Sequence, residues 1–276
     1  MEHYNTIDLS IIIVNYNTFD LTSTCIQSIY KYTNDINFEI ILVDNASNEK
    51  KPDDFLISFP NIHLIKSEKN IGFAKGNNLA ISKAKAKTIL LLNSDTELTD
   101  NAIKKAYDCL NSDSKIGVVS PKLLFPNGEH QSVCQRFPSA RLQLLELLRL
   151  HKIFTKETAG DILLGAFFKH DKDLMVDWVW GAFFMFKSEI LDKLPQQKLN
   201  DDFFMYGEDM QWCWDINKIN YKIKYCSSAQ LIHYMGGSSG QKEKYLSQNY
   251  HLFLKKNYNI LHRWVILILN RLLKIL

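Results

Sequence analysis

The chain has 276 residues, of which 46% are hydrophobic and 23% charged, and 33 lysines and arginines against 30 aspartates and glutamates give a net charge of +3. This length allows a sizeable core in one large α/β domain, and the composition is that of an ordinary globular protein. Such a small net charge, with bases spread out until the C-terminus, argues against a nucleic-acid partner.

The cysteines and the N-terminus exclude further classes of protein. The five cysteines are odd in number and lack any CxxC spacing, so we predict neither a zinc site nor a disulfide framework, and reducing, cytoplasmic surroundings fit best. Residues 1–8 are polar and lack the apolar segment of a secretory signal. No run of about twenty apolar residues occurs, so no membrane-spanning helix is expected.

The first half of the chain alternates strands with helices. We predict strands at 9–14, 38–43, 62–66 and 89–92, and helices over 20–32 and from about 70 to 86. The last strand is four consecutive aliphatic residues, which is typical of a central strand buried on both faces. This alternation predicts a parallel sheet with right-handed βαβ connections.

Polar residues follow these strands at their carboxyl ends, where ligands bind in open α/β sheets. Asp95 comes just after the central strand, preceded by Asn93 and Ser94. A carboxylate against an apolar strand is costly unless a cation or a donor meets it, so a divalent metal carrying a phosphorylated ligand is one interpretation. The alternative is that Asp95 caps a helix that starts near Thr99 or Asp100.

Gly72 and Gly76 flank Lys75 at the start of the helix predicted from about 70 to 86. Backbone N–H groups there can approach an anion with help from the helix dipole. Turn geometry alone also explains such glycines, and the stretch is neither a Walker loop nor a GxGxxG motif.

The second half is less regular. We predict short strands at 117–120 and 122–125, and a strongly apolar helix edged with bases over 141–154. This helix packs as a lid or insertion, which we favour, or lies on a membrane or partner surface. Further on we predict a glycine-broken strand at 177–186, a helix at 188–194, strands at 221–225 and 231–234, a flexible loop at 236–240 and a helix at 242–256.

Three polar residues of this half are candidates for chemistry. Glu208 and Asp209 form an acidic pair in the first turn of a predicted helix, where the dipole favours carboxylates, and the alternative is that they are only helix-terminal charges. His233 ends a strand, and a hydrogen-bonded structural role is the alternative to a ligand role.

The C-terminal stretch 261–276 predicts a helix with bases on one side and aliphatic residues around the rest. It is too short to span a bilayer and suits the surface of an anionic cytoplasmic membrane leaflet. The alternative is a terminal helix docked on the core or in a homo-oligomer.

Taken together, these stretches resemble the family 2 glycosyltransferases of the GT-A fold, especially the bacterial rhamnosyltransferase-like branch. The similarity runs in order from about residue 8 to residue 240. The motifs that carry it lie at 10–17, 43–47, 70–78, 91–95, 180–182, 203–209 and 233–238.

The resemblance implies an α/β fold with a Rossmann-like, mostly parallel central sheet flanked by helices. It implies a catalytic domain over 1–257, divided into a nucleotide-binding half (1–115) and an acceptor half (116–257). An amphipathic helix at 258–276 follows.

The resemblance also implies roles for individual residues. Asp44 accepts the pyrimidine N3–H of the donor nucleotide. Asn93-Ser94-Asp95 stands in place of the family's Asp-x-Asp motif, with Asn93 replacing the first acid. Asp95 and His233 are the expected ligands of Mg²⁺ or Mn²⁺, and the nitrogen ligand slightly favours Mn²⁺. The expected nucleotide-binding residues are Val14, Asn15, Tyr16, Asp44, Gly72, Lys75, Asn77, Asn78 and Ser94.

Asp209 matches the family's catalytic base, which implies in-line displacement with inversion. Glu208 is expected to orient the acceptor or the helix start. Trp178 and Trp180 either stack on a sugar face or pack in the core.

The expected enzyme is therefore an inverting, metal-dependent glycosyltransferase. It transfers rhamnose or another hexose from a dTDP- or UDP-sugar to a saccharide or lipid-linked saccharide in surface-polysaccharide synthesis, at the inner membrane face. A non-catalytic nucleotide-sugar-binding scaffold is one alternative. A dinucleotide-dependent oxidoreductase is another, although its glycine fingerprint is missing.

Overall fold

The computed structural model describes residues 6–235 and 242–275, so the predicted loop at 236–240 lies outside the described residues. The strands are β1 (Leu9–Asn15), β2 (Phe38–Asp44), β3 (His63–Lys66), β4 (Thr88–Asn93), β5 (Thr96–Leu98), β6 (Ile116–Leu124), β7 (Cys134–Gln135), β8 (Leu174–Val176), β9 (Trp178–Val179), β10 (Phe183–Lys187) and β11 (Lys222–His233). The helices are α1 (Phe19–Tyr32), α2 (Asp54–Ser58), α3 (Phe73–Ile81), α4 (Ala102–Asn111), α5 (Ala140–Leu147), α6 (Lys156–Leu163), α7 (Glu208–Lys218), α8 (Lys242–Asn257) and α9 (Ile260–Leu273).

One mixed sheet organises the molecule. Its strands follow the order β3-β2-β1-β4-β10-β6-β11-β5, and β8 pairs with β11 off this path. The first four strands of this order pair in parallel, as predicted, and β10 runs antiparallel between β4 and β6. Since β10, β6 and β11 continue the same sheet, the two predicted halves share one layer.

Strands β1 and β4 form the centre of the core. Their aliphatic side chains at 11–13 and 90–92 are at most 1% exposed. A strand that is covered on both faces needs no polar alternation, which explains why each reads as an unbroken apolar run. The prediction that 89–92 is a doubly buried central strand is confirmed.

Two strands are longer than predicted. The stretches 117–120 and 122–125 belong to the single strand β6, and 221–225 and 231–234 fall largely in the single strand β11. The two long strands pair in parallel along their length, with a bulge between Cys226 and Gln230. The residues between these two positions have no partner in β6, and the polar side chains there give no strand pattern, so the sequence predicts two strands where the structure has one.

Three predicted helices differ from those observed. The third helix begins at Phe73 and ends at Ile81, short of residue 86. The segment 188–194 forms a 3₁₀ helix, Ser188–Lys193. The helix predicted over 141–154 is broken, since α5 ends at Leu147 and Arg149 has a left-handed φ of 53° before a 3₁₀ turn.

The C-terminal helix packs on the protein. Gln143 of α5 donates through Nε2 to Asn270 Oδ1 of α9 at 2.7 Å, and Ile266 and Leu269 are buried. Ile266 belongs to a second apolar cluster with Phe203, Met210, Phe253 and Leu254. Within the described ranges, none of the helices combines the length and apolarity needed to cross a membrane.

Candidate functional site

A cavity of about 360 Å³ opens beside the carboxyl ends of β1 and β4, and we call it the central cavity. It gathers residues from motifs that lie far apart along the chain. The sequence-predicted residues in its wall are Val14, Tyr16, Asn93, Ser94, Asp95, Trp178, Trp180, Glu208, Asp209 and His233.

Pairing of β5 with β11 brings Asp95 and His233 together. His233 lies opposite Thr96 in this antiparallel pair, and the Tyr234 N–H donates to the Asp95 carbonyl at 2.9 Å. His233 Nε2 therefore lies 3.4 Å from Asp95 Oδ1, with each residue only 6% exposed. A helix cap for Asp95 is wrong, because β5 follows and α4 begins only at Ala102.

Gln131 fixes the orientation of the His233 ring. Its Nε2 donates to the His233 carbonyl at 2.7 Å, so its Oε1 is the atom that lies 2.7 Å from His233 Nδ1. An amide oxygen accepts, which places the proton of a neutral imidazole on Nδ1 and leaves the Nε2 lone pair facing Asp95.

This arrangement fits a divalent cation. His233 Nε2 and Asp95 Oδ1, which lie 3.4 Å apart, are a ring nitrogen and a carboxylate oxygen of the kinds that ligate divalent cations. Two ligands on one ion at roughly a right angle, each about 2.1 Å from it, lie about 3 Å apart. Asn93 occupies the place of the missing first acid, with its Nδ2 at 3.4 Å from the same histidine nitrogen.

A strained turn positions the acidic pair. Tyr206 and Gly207 both have positive φ, 69° and 90°, immediately before α7. Asn249 of α8 donates through Nδ2 to the carbonyls of Met205 and Tyr206 at 2.8 and 2.7 Å. These bonds hold the turn, so that Glu208 and Asp209 enter the cavity from the helix N-terminus.

Asp209 is held by two backbone donors. Its Oδ2 accepts from the Gly181 N–H at 3.0 Å, and its Oδ1 accepts from the Met210 N–H at 2.8 Å. Burial raises the pKa of Asp209 to about 6, although these two donors lower it. A carboxylate with such a pKa is ionised at neutral pH and still accepts a proton readily.

Glu208 differs from its neighbour. It is 5% exposed, and its Oε2 has no hydrogen-bond partner among the described residues. Burial, followed by the charge of Asp209, raises the pKa of Glu208 well above its usual range. Burial thus raises the pKa of both carboxyl groups, and the charge of Asp209 adds to the rise at Glu208.

The structure does not bring Asp44 or Asn15 to the wall of the central cavity. The Asp44 carboxylate accepts from Asn15 Nδ2 at 2.8 Å and from the Ser47 N–H at 3.1 Å, and both residues are nearly fully buried. Asn15 Oδ1 in turn accepts from Thr18 and Thr22. This network fixes the ends of β1 and β2, and the nucleotide role of Asp44 stays a prediction.

The polar residues of α3 lie outside the wall of the central cavity, and their nucleotide role stays a prediction. Asn77 donates to the Phe73 carbonyl of its own helix, and Asn78 binds the backbone N–H and C=O of Leu199. Both amides are therefore used for packing, and neither lines the central cavity. Lys75 is exposed and also lies outside the cavity wall.

Gly72 has a packing role as well. Its φ is +83°, and a Cβ there would lie 2.7 Å from Phe204 Cδ2. The adjoining Phe73 N–H donates to the Phe204 carbonyl at 2.9 Å. The glycine thus lets α3 approach the aromatic stretch that leads to the acidic pair.

Sequence reasoning missed several residues of the site. Gln131 lies in the stretch without readable pattern, and no sequence signal marks it. Asn45 and Asn70 belong to quoted motifs, and their contact at 2.9 Å could have been suspected from their places at loop starts. The other missed residues of the cavity wall include Thr18, Phe73, Met205, Tyr206, Lys242 and Leu246.

A separate group of potential metal ligands lies outside the central cavity. The ligand atoms of Cys109, Asp173 and Cys226 lie within 4.8 Å of one another, a proximity that the cysteine spacing did not predict. Lys224 Nζ is 3.0 Å from Asp173 Oδ2 and already supplies a positive charge there. All five cysteines are buried, unbridged thiols.

Comparison with known proteins places this chain in a family. Residues 10–195 match the model of glycosyl transferase family 2. The chain is 27% identical over 231 residues to the low-salt glycan biosynthesis hexosyltransferase Agl10 of Haloferax volcanii, a match that covers 82% of this chain and 67% of that protein. It is 21% identical over 218 residues to an N-acetylglucosaminyl-diphospho-decaprenol L-rhamnosyltransferase of Mycobacterium tuberculosis, covering 73% and 68%.

Solved structures share the fold at low sequence identity. GalNAc-T7 with UDP, GalNAc and Mn²⁺ superposes with a TM-score of 0.64 at 16% identity, over 92% of this chain and 48% of that one. The mannosyltransferase PcManGT of Pyrobaculum calidifontis, in complex with GDP-Man and Mn²⁺, gives 0.61 at 16% identity, over 96% and 74%. The predicted family and fold class are confirmed. The chain therefore belongs to glycosyl transferase family 2 and is a glycosyltransferase with the GT-A fold.

Proposed function

We propose that this glycosyltransferase is metal-dependent and inverting, and that it moves rhamnose or another hexose from a dTDP- or UDP-sugar to a saccharide or lipid-linked saccharide. The observation that carries the proposal is the meeting of Asp95, His233 and Asp209 in one cavity at the carboxyl ends of the parallel strands. The family match ends at residue 195, so the roles of Asp209 and His233 rest on geometry and chemistry.

Asp95 and His233 would hold Mn²⁺ or Mg²⁺. When bound, the cation neutralises the charge that builds up on the departing nucleoside diphosphate. The buried Gln131 supports this role, because it holds the histidine in the tautomer that ligates through Nε2. Thr18 and Ser94, whose hydroxyls are 3.0 Å apart in the cavity wall, are placed to bind the donor.

Asp209 acts as the general base. The acceptor hydroxyl is a poor nucleophile near neutral pH, so the carboxylate takes its proton while the hydroxyl oxygen bonds to the anomeric carbon. The bond from that carbon to the diphosphate breaks on the opposite face, and the configuration inverts. Glu208, whose pKa is raised by burial and by the charge of Asp209, orients the acceptor.

The donor and acceptor classes have separate support. Two relatives are named as a hexosyltransferase and a rhamnosyltransferase, and the latter name specifies a decaprenol-linked acceptor. The exposed apolar surface of α9 supports catalysis at the inner face of a membrane, where a lipid-linked acceptor would be found. Trp178 and Trp180 in the cavity wall offer flat faces for sugar rings.

A screen of nucleotide sugars tests the proposal. Thermal unfolding with and without Mn²⁺ identifies the donor, because selective binding stabilises the native state. Donor hydrolysis and transfer are then measured for wild type and for Asp209→Asn. We expect the variant to bind the donor and to lose both reactions, whereas equal activity of the two proteins would refute the base assignment. Absence of both reactions in wild type would favour a non-catalytic scaffold.

A further inference from the structure

A second cavity, of about 470 Å³, adjoins the central cavity, and we call it the side cavity. Trp178, Gly207 and Leu246 line both cavities, so the acidic pair that follows Gly207 lies next to the shared wall. The volume of the side cavity is within the range of roughly 300–1,000 Å³ that is usual for ligand-binding pockets.

Apolar side chains outnumber polar ones in the lining of the side cavity, whose polar members besides Arg136 are Gln135, Ser139, Gln143, Glu146, Tyr250 and Asn270. Arg136 is not available for an anion, because its guanidinium group donates to the Asp161 and Ile162 carbonyls and to Asp177 Oδ1. The apolar residues in the wall are Phe137, Pro138, Leu142, Leu163, Leu164, Ala166, Phe167, Met210 and Leu246.

The outer boundary of the side cavity includes α5 and α9, whose other faces are exposed and apolar. Thirteen of the 21 exposed large hydrophobic side chains among the described residues lie in 144–167 and 260–275. We call this set the apolar face. Its members are Leu144, Leu148, Leu150, Ile153, Phe154, Phe167, Ile260, Leu261, Trp264, Val265, Ile268, Leu272 and Ile275.

The charge around the apolar face indicates what covers it. Segments 140–154 and 260–275 carry six lysines and arginines and a single acid, Glu146. The rest of the chain has 27 such bases against 29 acids. Two copies packed through this face would oppose bases to bases, whereas anionic lipid headgroups complement them.

We propose that the side cavity takes the apolar chain, isoprenoid in type, of a lipid-linked acceptor that arrives from a membrane under the apolar face. The chain lies between α5 and the 163–167 segment, and the sugar end passes Trp178 to reach Asp209. This inference rests on the proposed function, since it names where that acceptor's lipid binds.

Photolabelling of the full chain tests the side cavity directly. The probe is farnesyl phosphate carrying a benzophenone, and the labelled residues are mapped by mass spectrometry. We expect labels in 137–146 and 163–167 that excess unlabelled farnesyl phosphate removes. Labels confined to other parts of the chain, or labels that unlabelled probe does not remove, would overturn the inference.

Two variants of one segment provide the matched comparison. Leu142→Trp fills the side cavity and should reduce labelling at least tenfold, whereas Leu148→Trp changes a residue that is 61% exposed and does not line it. Equal labelling of the two variants would contradict the proposal. If Leu142→Trp fails to fold in a thermal unfolding control, Ala166→Trp takes its place, since Ala166 is an exposed residue of the same wall.

Donor hydrolysis in the same preparations separates this inference from the proposed function. Labelling at the predicted residues without hydrolysis would leave the side cavity in place and refute catalysis. Hydrolysis and transfer without such labelling would support the proposed function and refute binding of the lipid chain in the side cavity.

Discussion

Glu208 and Asp209 are adjacent in the chain, yet their surroundings give them different chemistry. Asp209 accepts from the N–H groups of Gly181 and Met210, which stabilise its charged form. Among the described residues, Glu208 has no such donor for Oε2, and it faces the charge of its neighbour. Asp209 is therefore the better suited of the two to be ionised and to accept a proton.

Isosteric amides separate these two roles. Asp209→Asn removes the proton acceptor, so we expect kcat to fall by about 10²- to 10⁴-fold. Glu208→Gln keeps the size of the side chain and its capacity for hydrogen bonds, and the loss should stay within about tenfold, as for one ordinary hydrogen bond. Steady-state transfer rates at saturating donor provide the comparison. Equal losses in the two variants would mean that the pair acts as one unit.

The raised pKa of Asp209 predicts an acid limb in the pH profile. The base works only when ionised, so kcat/KM should decline below pH about 6, approaching tenfold per pH unit. Above that pH the profile should be level until another group titrates. Nucleotide binding measured across the same range serves as the control. A profile that is flat from pH 5 to 7 would remove Asp209 from this role.

The residues proposed to react were easier to find from the sequence than the residues that hold them in place. Asp95, Asp209 and His233 stand at recognisable motif positions at the ends of strands or at a helix start. Gln131 and Asn249 bind backbone carbonyls that only the folded chain brings near them. Pairings of this kind leave no periodic pattern, so neither residue was predictable.

Among the elements, those marked by a local pattern of side chains were predictable, and those that depend on pairing with distant segments were not. Strands β1, β2 and β4 are largely buried aliphatic runs, so the local pattern of side chains predicts them. Strand β5 is three residues long, and its pairing with β11 is what brings His233 to Asp95. The break after α5 falls at Arg149 without a glycine or proline, and the packing of α5 on α9 was not visible in the sequence.

Two glycine variants test whether the close approach of α3 to Phe204 requires a glycine at position 72. In Gly72→Ala the left-handed φ costs roughly 1–2 kcal/mol, and the overlap with Phe204 should cost about 1–3 kcal/mol more. Gly128 has a similar φ of +86° with nothing within 4 Å of an added Cβ, so Gly128→Ala should show only the first cost. Urea unfolding measures the free energy of unfolding of both variants. Equal destabilisation would mean that Phe204 moves aside without a measurable cost.

At the scale of the whole molecule, basic residues and exposed apolar side chains occur together on the apolar face. The predicted helix at the C-terminus exists, but the face bearing Asn270 packs on the protein rather than facing solvent. The opposite face, with Trp264 and Ile268, remains exposed. Removing the whole helix would also take Ile266 out of the second core cluster, so point variants give a cleaner test.

Replacing Trp264 and Ile268 by serine should weaken binding to phosphatidylglycerol vesicles by roughly a hundredfold or more, because two large apolar side chains no longer insert. Thermal stability should change little, since these residues are 57% and 56% exposed. Ile57→Ser is the matched control, as Ile57 is 82% exposed on α2 and should not affect flotation. Wild-type flotation of the double variant would refute membrane docking through this face.

The convergence of Asp95 and His233 on one cation is tested most directly by a crystal structure with Mn²⁺ and UDP or dTDP, using anomalous scattering to locate the metal. We predict a peak bonded to an Asp95 carboxylate oxygen and His233 Nε2 and shared with the diphosphate, on the same side of the central cavity as Asp209. A nucleotide bound there without an ion between these side chains, or a peak only at Cys109, Asp173 and Cys226, would contradict it.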